Sequence, residues 1–124
     1  MTRLLLLLPI LLASPAQAFT AANDLRVVAS GNATFSVPYG DNSAPTAFWC
    51  AAGDYVVRGL GQSPATRIYR TSPVPRRSGQ GMDFTLVAGA GVGKTGLIRL
   101  GGDDGSITAA NAQAFCSRMD DDRS

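Results

Sequence analysis

The sequence predicts an α+β fold: a small, mainly antiparallel sheet of about five strands with two helices on one face, the helices tied by a disulfide. Three observations predict it. Short stretches alternate apolar and polar residues with a period of two, as half-buried strands do. Two longer stretches repeat apolar residues at helical spacing. The only two cysteines, Cys50 and Cys116, fall one in each helical stretch.

The N-terminal stretch reads as separate from the fold. Arg3 precedes an apolar run from Leu4 to Leu12, and Ala16-Gln17-Ala18 follows. A positive residue, a short apolar core and small residues at alternate positions make an export leader with cleavage after Ala18. The apolar run is about half of the roughly twenty residues a membrane-spanning helix needs. Residues 1–18 are therefore read as a signal peptide and 19–124 as one domain, periplasmic or secreted, with no membrane span.

Within that domain Leu25, Val27 and Ala29 share one face of a strand, and Ala33, Phe35 and Val37 one face of the next, with Ser30-Gly31-Asn32 as the turn. After the loop YGDNSAP, Ser43 is positioned to cap a helix that accepts Pro45 in its first turn. That helix runs from Thr46 to about Arg58, aligns Phe48, Ala52 and Tyr55, and is stopped by Gly59 and Gly61. Residues 66–71 read as a strand and SPVPRRSGQG as a loop. Residues 83–88 and 95–100 alternate, and GAGVG between them reads as a hairpin tip. Gly101 to Gly105 form a turn. Ser106 or Thr108 then caps a last helix carrying Ala112, Phe115, Cys116 and Met119 on one face, and the charged DDDRS end is frayed.

Composition excludes more than it assigns. The chain has no His and no Glu, and Lys94 is its single lysine. The Ala, Gly, Arg and Asp usage is that of a GC-rich genome and points to a bacterium. Without His there is no Ser-His-Asp or Cys-His nucleophile and no His-based zinc site. In an exported chain a lone cysteine pair is a structural bridge. Closing a loop of 66 positions contributes about 4 kcal/mol in the chain-entropy model. Asp54, beside Tyr55 in the first helix, is open to three readings: a catalytic acid of a small cell-envelope enzyme, an arginine partner, or an exposed helical residue. Asp103, Asp104 and Ser106 lack the ligand series of a calcium loop. No cofactor is implied.

Residues 88–95, AGAGVGKT, fit a relaxed phosphate-binding loop. Such a loop needs a helix directly after it, whose N-terminus helps hold the phosphates. Gly96 and the β-type LIRL deny it that helix, and the match is read as a decoy. The sharper feature is charge. Between Arg58 and Arg99 stand seven basic residues against Asp83 alone. Arg67, Arg70, Arg76, Arg77 and Gln80 are the candidate binding residues, since arginine grips carboxylates and phosphates bidentately. The expected role is a non-catalytic binding domain whose partner is an anionic envelope component or an envelope protein. Nucleic acid is excluded by the low total charge, +2 for the whole chain.

FWCAAGDYVVRGLG, TRIYRTSPVPRRSGQG and MDFTL resemble segments of small exported proteins of alphaproteobacteria, over roughly residues 46 to 86. The resemblance implies a compartment and carries no known activity or site.

Overall fold

The computed structural model describes residues 18–40, 44–99 and 101–121, with 118–121 by backbone alone. Six strands and two helices follow in the order β1 (Ala18–Thr20), β2 (Arg26–Ala29), β3 (Thr34–Val37), α1 (Pro45–Asp54), β4 (Arg67–Arg70), β5 (Met82–Thr85), β6 (Ser106–Thr108) and α2 (Ala109–Asp121). The strands form one sheet ordered β1-β2-β3-β5-β4-β6, each neighbour antiparallel to the next. The α+β class and the helix-to-helix bridge are as the sequence predicts, with six strands in place of about five.

The inner face of the sheet is built by alternation. Val27, Phe35, Val37, Ile68, Met82, Phe84 and Ile107 are all buried, and the register sets Phe35 beside Phe84 and Ile68 beside Ile107. A run of aromatic contacts joins this face to α1. Trp49 meets Phe84 edge-on at 4.8 Å, Phe84 stacks on Phe35 at 5.6 Å, and Phe35 meets Tyr55 at 4.8 Å. Such pairs add about 0.5–1.5 kcal/mol each beyond their burial.

Helix α1 differs from its expected amphipathic form. Every residue from Ala47 to Asp54 is buried, so the helix is enclosed on all sides, as an apolar helix must be. Across from the sheet, a Cβ on Gly53 would lie 2.5 Å from the Gln113 nitrogen and 2.8 Å from the Ala109 carbonyl oxygen. The two helices therefore touch backbone to backbone at this glycine. One turn earlier the Cys50–Cys116 bridge joins them, with Cα atoms 5.0 Å apart. Beyond Asp54 the chain widens into a π-helical turn, Tyr55–Gly59, closed by the Leu60 N–H donating to the Tyr55 carbonyl, and Gly61 leaves it at φ +66°. Ala44 occupies the N-cap of α1, with Pro45 following it and no side-chain cap bond. Ser43 lies outside the described residues, as does the Met119 side chain. Of the two candidate caps for α2 the structure selects Thr108, whose Oγ1 accepts the Asn111 N–H at 3.2 Å. Ser106 sits instead in β6.

The expected hairpin of residues 83–88 and 95–100 is not formed. Strand β5 ends at Thr85, and both of its edges are already occupied, by β3 and β4. Residues 95–99 are irregular, because the backbone of Thr95 bonds to side chains in place of a ladder. Its N–H donates to Asp103, and its carbonyl accepts from Trp49 and Arg70. Gly96, at φ +80°, then turns the chain away. The strand that completes the sheet is Ser106–Thr108, too short for alternation to be visible. At the other edge β1 starts at Ala18, so cleavage after that residue would retain Phe19 and Thr20 of the strand. The Phe19 ring packs 5.7 Å from that of Tyr55.

Candidate functional site

Strand β4 sends its arginines to opposite faces of the sheet. Arg67 projects from the outer face, where its Nε donates to Ser106 Oγ at 3.0 Å and its Nη2 lies 3.9 Å from Asp104. Arg70, three residues on, points inward and is 1% exposed. Its guanidinium donates to three backbone carbonyls: Nε to Ser72 at 3.0 Å, Nη2 to Pro73 at 2.7 Å and Nη1 to Thr95 at 3.1 Å. Ser72 and Pro73 open the loop of residues 71–81, and Thr95 lies at the centre of the loop of residues 86–105. One buried side chain therefore clamps two loops together at the same end of the molecule. Carbonyls satisfy its N–H groups but leave its charge unneutralised, and no carboxylate pairs with it among the described residues. Burial, and then the nearby charge of Arg76, disfavour its protonated form; arginine stays charged regardless.

The loop of residues 71–81 is braced a second time from within. The Arg76 guanidinium lies 4.8 Å above the Phe48 ring, and its Nη1 donates to the Gln80 carbonyl at 2.6 Å and the Arg77 carbonyl at 3.3 Å. Arg77 and Gln80 are exposed. Beside the loop runs a groove of about 340 Å³ lined by Ser36, Ser72, Gln80 and Asp83, among others. The five candidate residues thus do not form one face. Arg76, Arg77 and Gln80 share a loop, Arg70 lies beneath it, and Arg67 belongs to the other side of the sheet.

Sequence reasoning missed Thr95 as the second anchor. Fully buried, it donates from both its N–H and its Oγ1 to Asp103 Oδ2, at 3.0 and 2.9 Å. Asp103 Oδ1 also accepts the Gly105 N–H at 2.9 Å. These bonds tie Thr95 to Asp103 and Asp103 to Gly105. The Gly-Lys-Thr match was the available signal, and the helix a phosphate loop requires does not follow it. Lys94, next in line, is exposed. Among the described residues neither Lys94 nor Arg77 has an ion pair or a side-chain hydrogen bond.

Asp54 has the arginine partner. Its Oδ1 accepts from Arg58 Nε at 2.6 Å and Gln113 Nε2 at 3.2 Å, and its Oδ2 from the Ala22 N–H at 2.9 Å and from Arg58 Nη2. Four bonds use the acceptor capacity of a carboxylate. Burial pushes its pKa up, but the bonds from Arg58, Gln113 and Ala22 and the Arg58 charge outweigh burial and hold it below the ordinary Asp value. Asp103 is likewise held low: burial raises it, and the bonds from Thr95 and Gly105 with the Arg99 charge overcome that. An ionised, fully bonded carboxylate has no proton to give near neutral pH, which makes Asp54 a poor general acid. An unfolded Asp takes its proton at about pH 3.9, whereas the folded pair resists it to lower pH. In that window the unfolded chain binds more protons, so stability falls as pH falls. Urea midpoints should therefore hold steady from neutrality to about pH 4 and drop below it. Asp54→Asn should flatten that drop, and an unaltered slope would show that Asp54 does not cause it.

Comparisons with protein-family models, curated proteins and solved structures return no match. Among the described residues no helix is long and apolar enough to cross a membrane, and no group of three His, Cys, Asp or Glu side chains is placed to hold a metal ion.

Proposed function

We propose that this chain is an exported, disulfide-closed binding domain, non-catalytic, that meets an anionic component of the cell envelope with the clamped two-loop end. The observation that carries the reading is Arg70. A buried guanidinium bonded only to carbonyls is an unusual way to hold a loop, because it leaves a positive charge beneath the surface it supports. Arg76 and Arg77 add to that field, and Arg77 and Lys94 stand in solvent with side chains uncommitted. A rigid base carrying exposed cations suits recognition better than turnover, since less freedom is lost on binding. The leader-like N-terminus, the disulfide and the resemblance of residues 46–86 to small exported proteins support the compartment.

Arg77 is the discriminating residue, because Arg76 also holds its own loop. Arg77→Asp should weaken retention on an envelope fraction by about fivefold to thirtyfold, at about 1 kcal/mol for each unit of charge, with an unchanged melting temperature. Raising salt from about 0.1 to 1 M, which shortens the Debye length from about 10 to 3 Å, should release the unmodified protein. Retention indifferent to both changes would overturn the proposal.

A further inference from the structure

Six large hydrophobic side chains are exposed among the described residues, and four lie on the two loops that Arg70 ties together. Val74 belongs to the first loop, and Val87, Val92 and Ile98 to the second. Scattered apolar residues are normal on a protein surface, and Val87, past the Thr85 end of β5, stands apart from Val74, whose loop leads to the Met82 end; Ile98 is set off from them by the extent of its exposure. Ile98 stands wholly in solvent, at 103% exposure, three residues beyond Thr95. Its described neighbours are tied down: Thr95 donates to Asp103, Leu97 packs against the core, and Arg99 Nη1 donates to the Ser106 carbonyl at 2.8 Å. The fold thus holds up an aliphatic side chain that none of the described residues covers. On the same clamped end stand Lys94 and Arg77. The neighbouring acids are engaged, Asp103 with Thr95 and Gly105, and Asp104 with Ser106.

Resting on the anion-directed reading above, we infer that the anionic component is a lipid surface, with Ile98 entering the headgroup layer and Lys94 and Arg77 meeting lipid phosphates. A soluble anionic polymer would engage the cations and leave Ile98 in water. A bilayer interface is apolar inside and anionic at its rim, and so matches both features of this end at once. Attachment is peripheral and reversible, because one aliphatic side chain and two cations make only a weak anchor.

The test is co-sedimentation of the disulfide-closed protein with vesicles of mixed phosphatidylglycerol and phosphatidylcholine, and with pure phosphatidylcholine. Each variant is first matched to the parent in melting temperature. Selective binding to the anionic vesicles is expected, weakened about tenfold or more by Ile98→Asp and severalfold by Lys94→Glu. Ile98→Trp gives an independent readout. Trp49, the single native tryptophan, is fully buried, so a blue shift on vesicle addition reports residue 98 leaving water. Absence of vesicle binding, or equal binding by Ile98→Asp, overturns the inference. If Arg77-dependent retention on the envelope fraction persists in that case, the lipid assignment alone fails and a polymer or protein partner takes its place. If that retention is also missing, the anion-directed reading falls with it.

Discussion

Arg70→Met is expected to lower stability by about 3 kcal/mol and the melting temperature by about 10 °C or more. Methionine fills much of the same channel but donates nothing to the carbonyls of Ser72, Pro73 and Thr95. Thr95 keeps its bond from Trp49 Nε1 at 3.2 Å, and Ser72 and Pro73 lie near enough to the surface to take up water. The loss is therefore smaller than three orphaned acceptors would cause. Arg70→Lys separates charge from geometry. An ammonium keeps the charge but cannot span three carbonyls on two loops as a planar fork does, so most of the loss should remain. Amide exchange should quicken in residues 71–81 and 92–97 together, since one side chain secures both. A variant melting within about 2 °C of the parent, or exchange confined to one loop, would show that the clamp is not what holds this end.

Removing the bridge by the double change Cys50→Ala and Cys116→Ala is expected to lower stability by about 4 kcal/mol, the loop-closure value for its 66-position separation. The melting temperature should fall by roughly 15 °C. The bridge is set beside the contact of Gly53 with Ala109, Ala112 and Gln113, where the small residues that let the helices approach contribute little apolar area of their own. Without the bridge that contact is held by backbone fit and by the Gln113 bond to Asp54 at 3.2 Å. A drop of only a few degrees would mean that helix packing alone holds α2 in place. Thermal melts of the oxidised protein, the reduced protein and the double variant decide it.

Much of the framework was legible along the chain. Alternation at residues 25–37 located β2 and β3, because one face of each must be buried and period two marks that face. Helical spacing located α1 and α2, and the lone cysteine pair, read as that of an exported chain, located the bridge. The hairpin reading of 83–100 failed for a reason that alternation cannot express. Leu97 and Ile98 show β-type spacing, but whether a stretch becomes a strand depends on a free sheet edge, and β3 and β4 had taken both edges of β5. β6 escaped notice for the converse reason: three residues suffice where β4 offers an open edge.

The candidate site was legible by residue type only. A run of arginines between positions 58 and 99 announced a cationic segment, yet position on the chain does not say which arginine meets solvent. On β4, Arg67 and Arg70 are separated by an odd number of steps and so face opposite ways. The face was visible; what lay behind it was not. That Arg70 binds carbonyls from two loops is a contact across two or three positions to one loop and 25 to the other, and no local pattern encodes the longer reach. Likewise Gly93-Lys94-Thr95 carried a true signal of a specialised loop, with the wrong chemistry suggested. Its threonine holds Asp103, and its lysine is left to solvent.

By itself, then, the order of residues determined the α+β class, the pairing of the cysteines and the absence of histidine chemistry, because these depend on periodicity and composition. Only the tertiary structure decided which cations are committed, where the second half of the sheet finds its last strand, and that Ile98 stands uncovered. Those outcomes turn on which edges, carbonyls and apolar surfaces remain open after the core has closed.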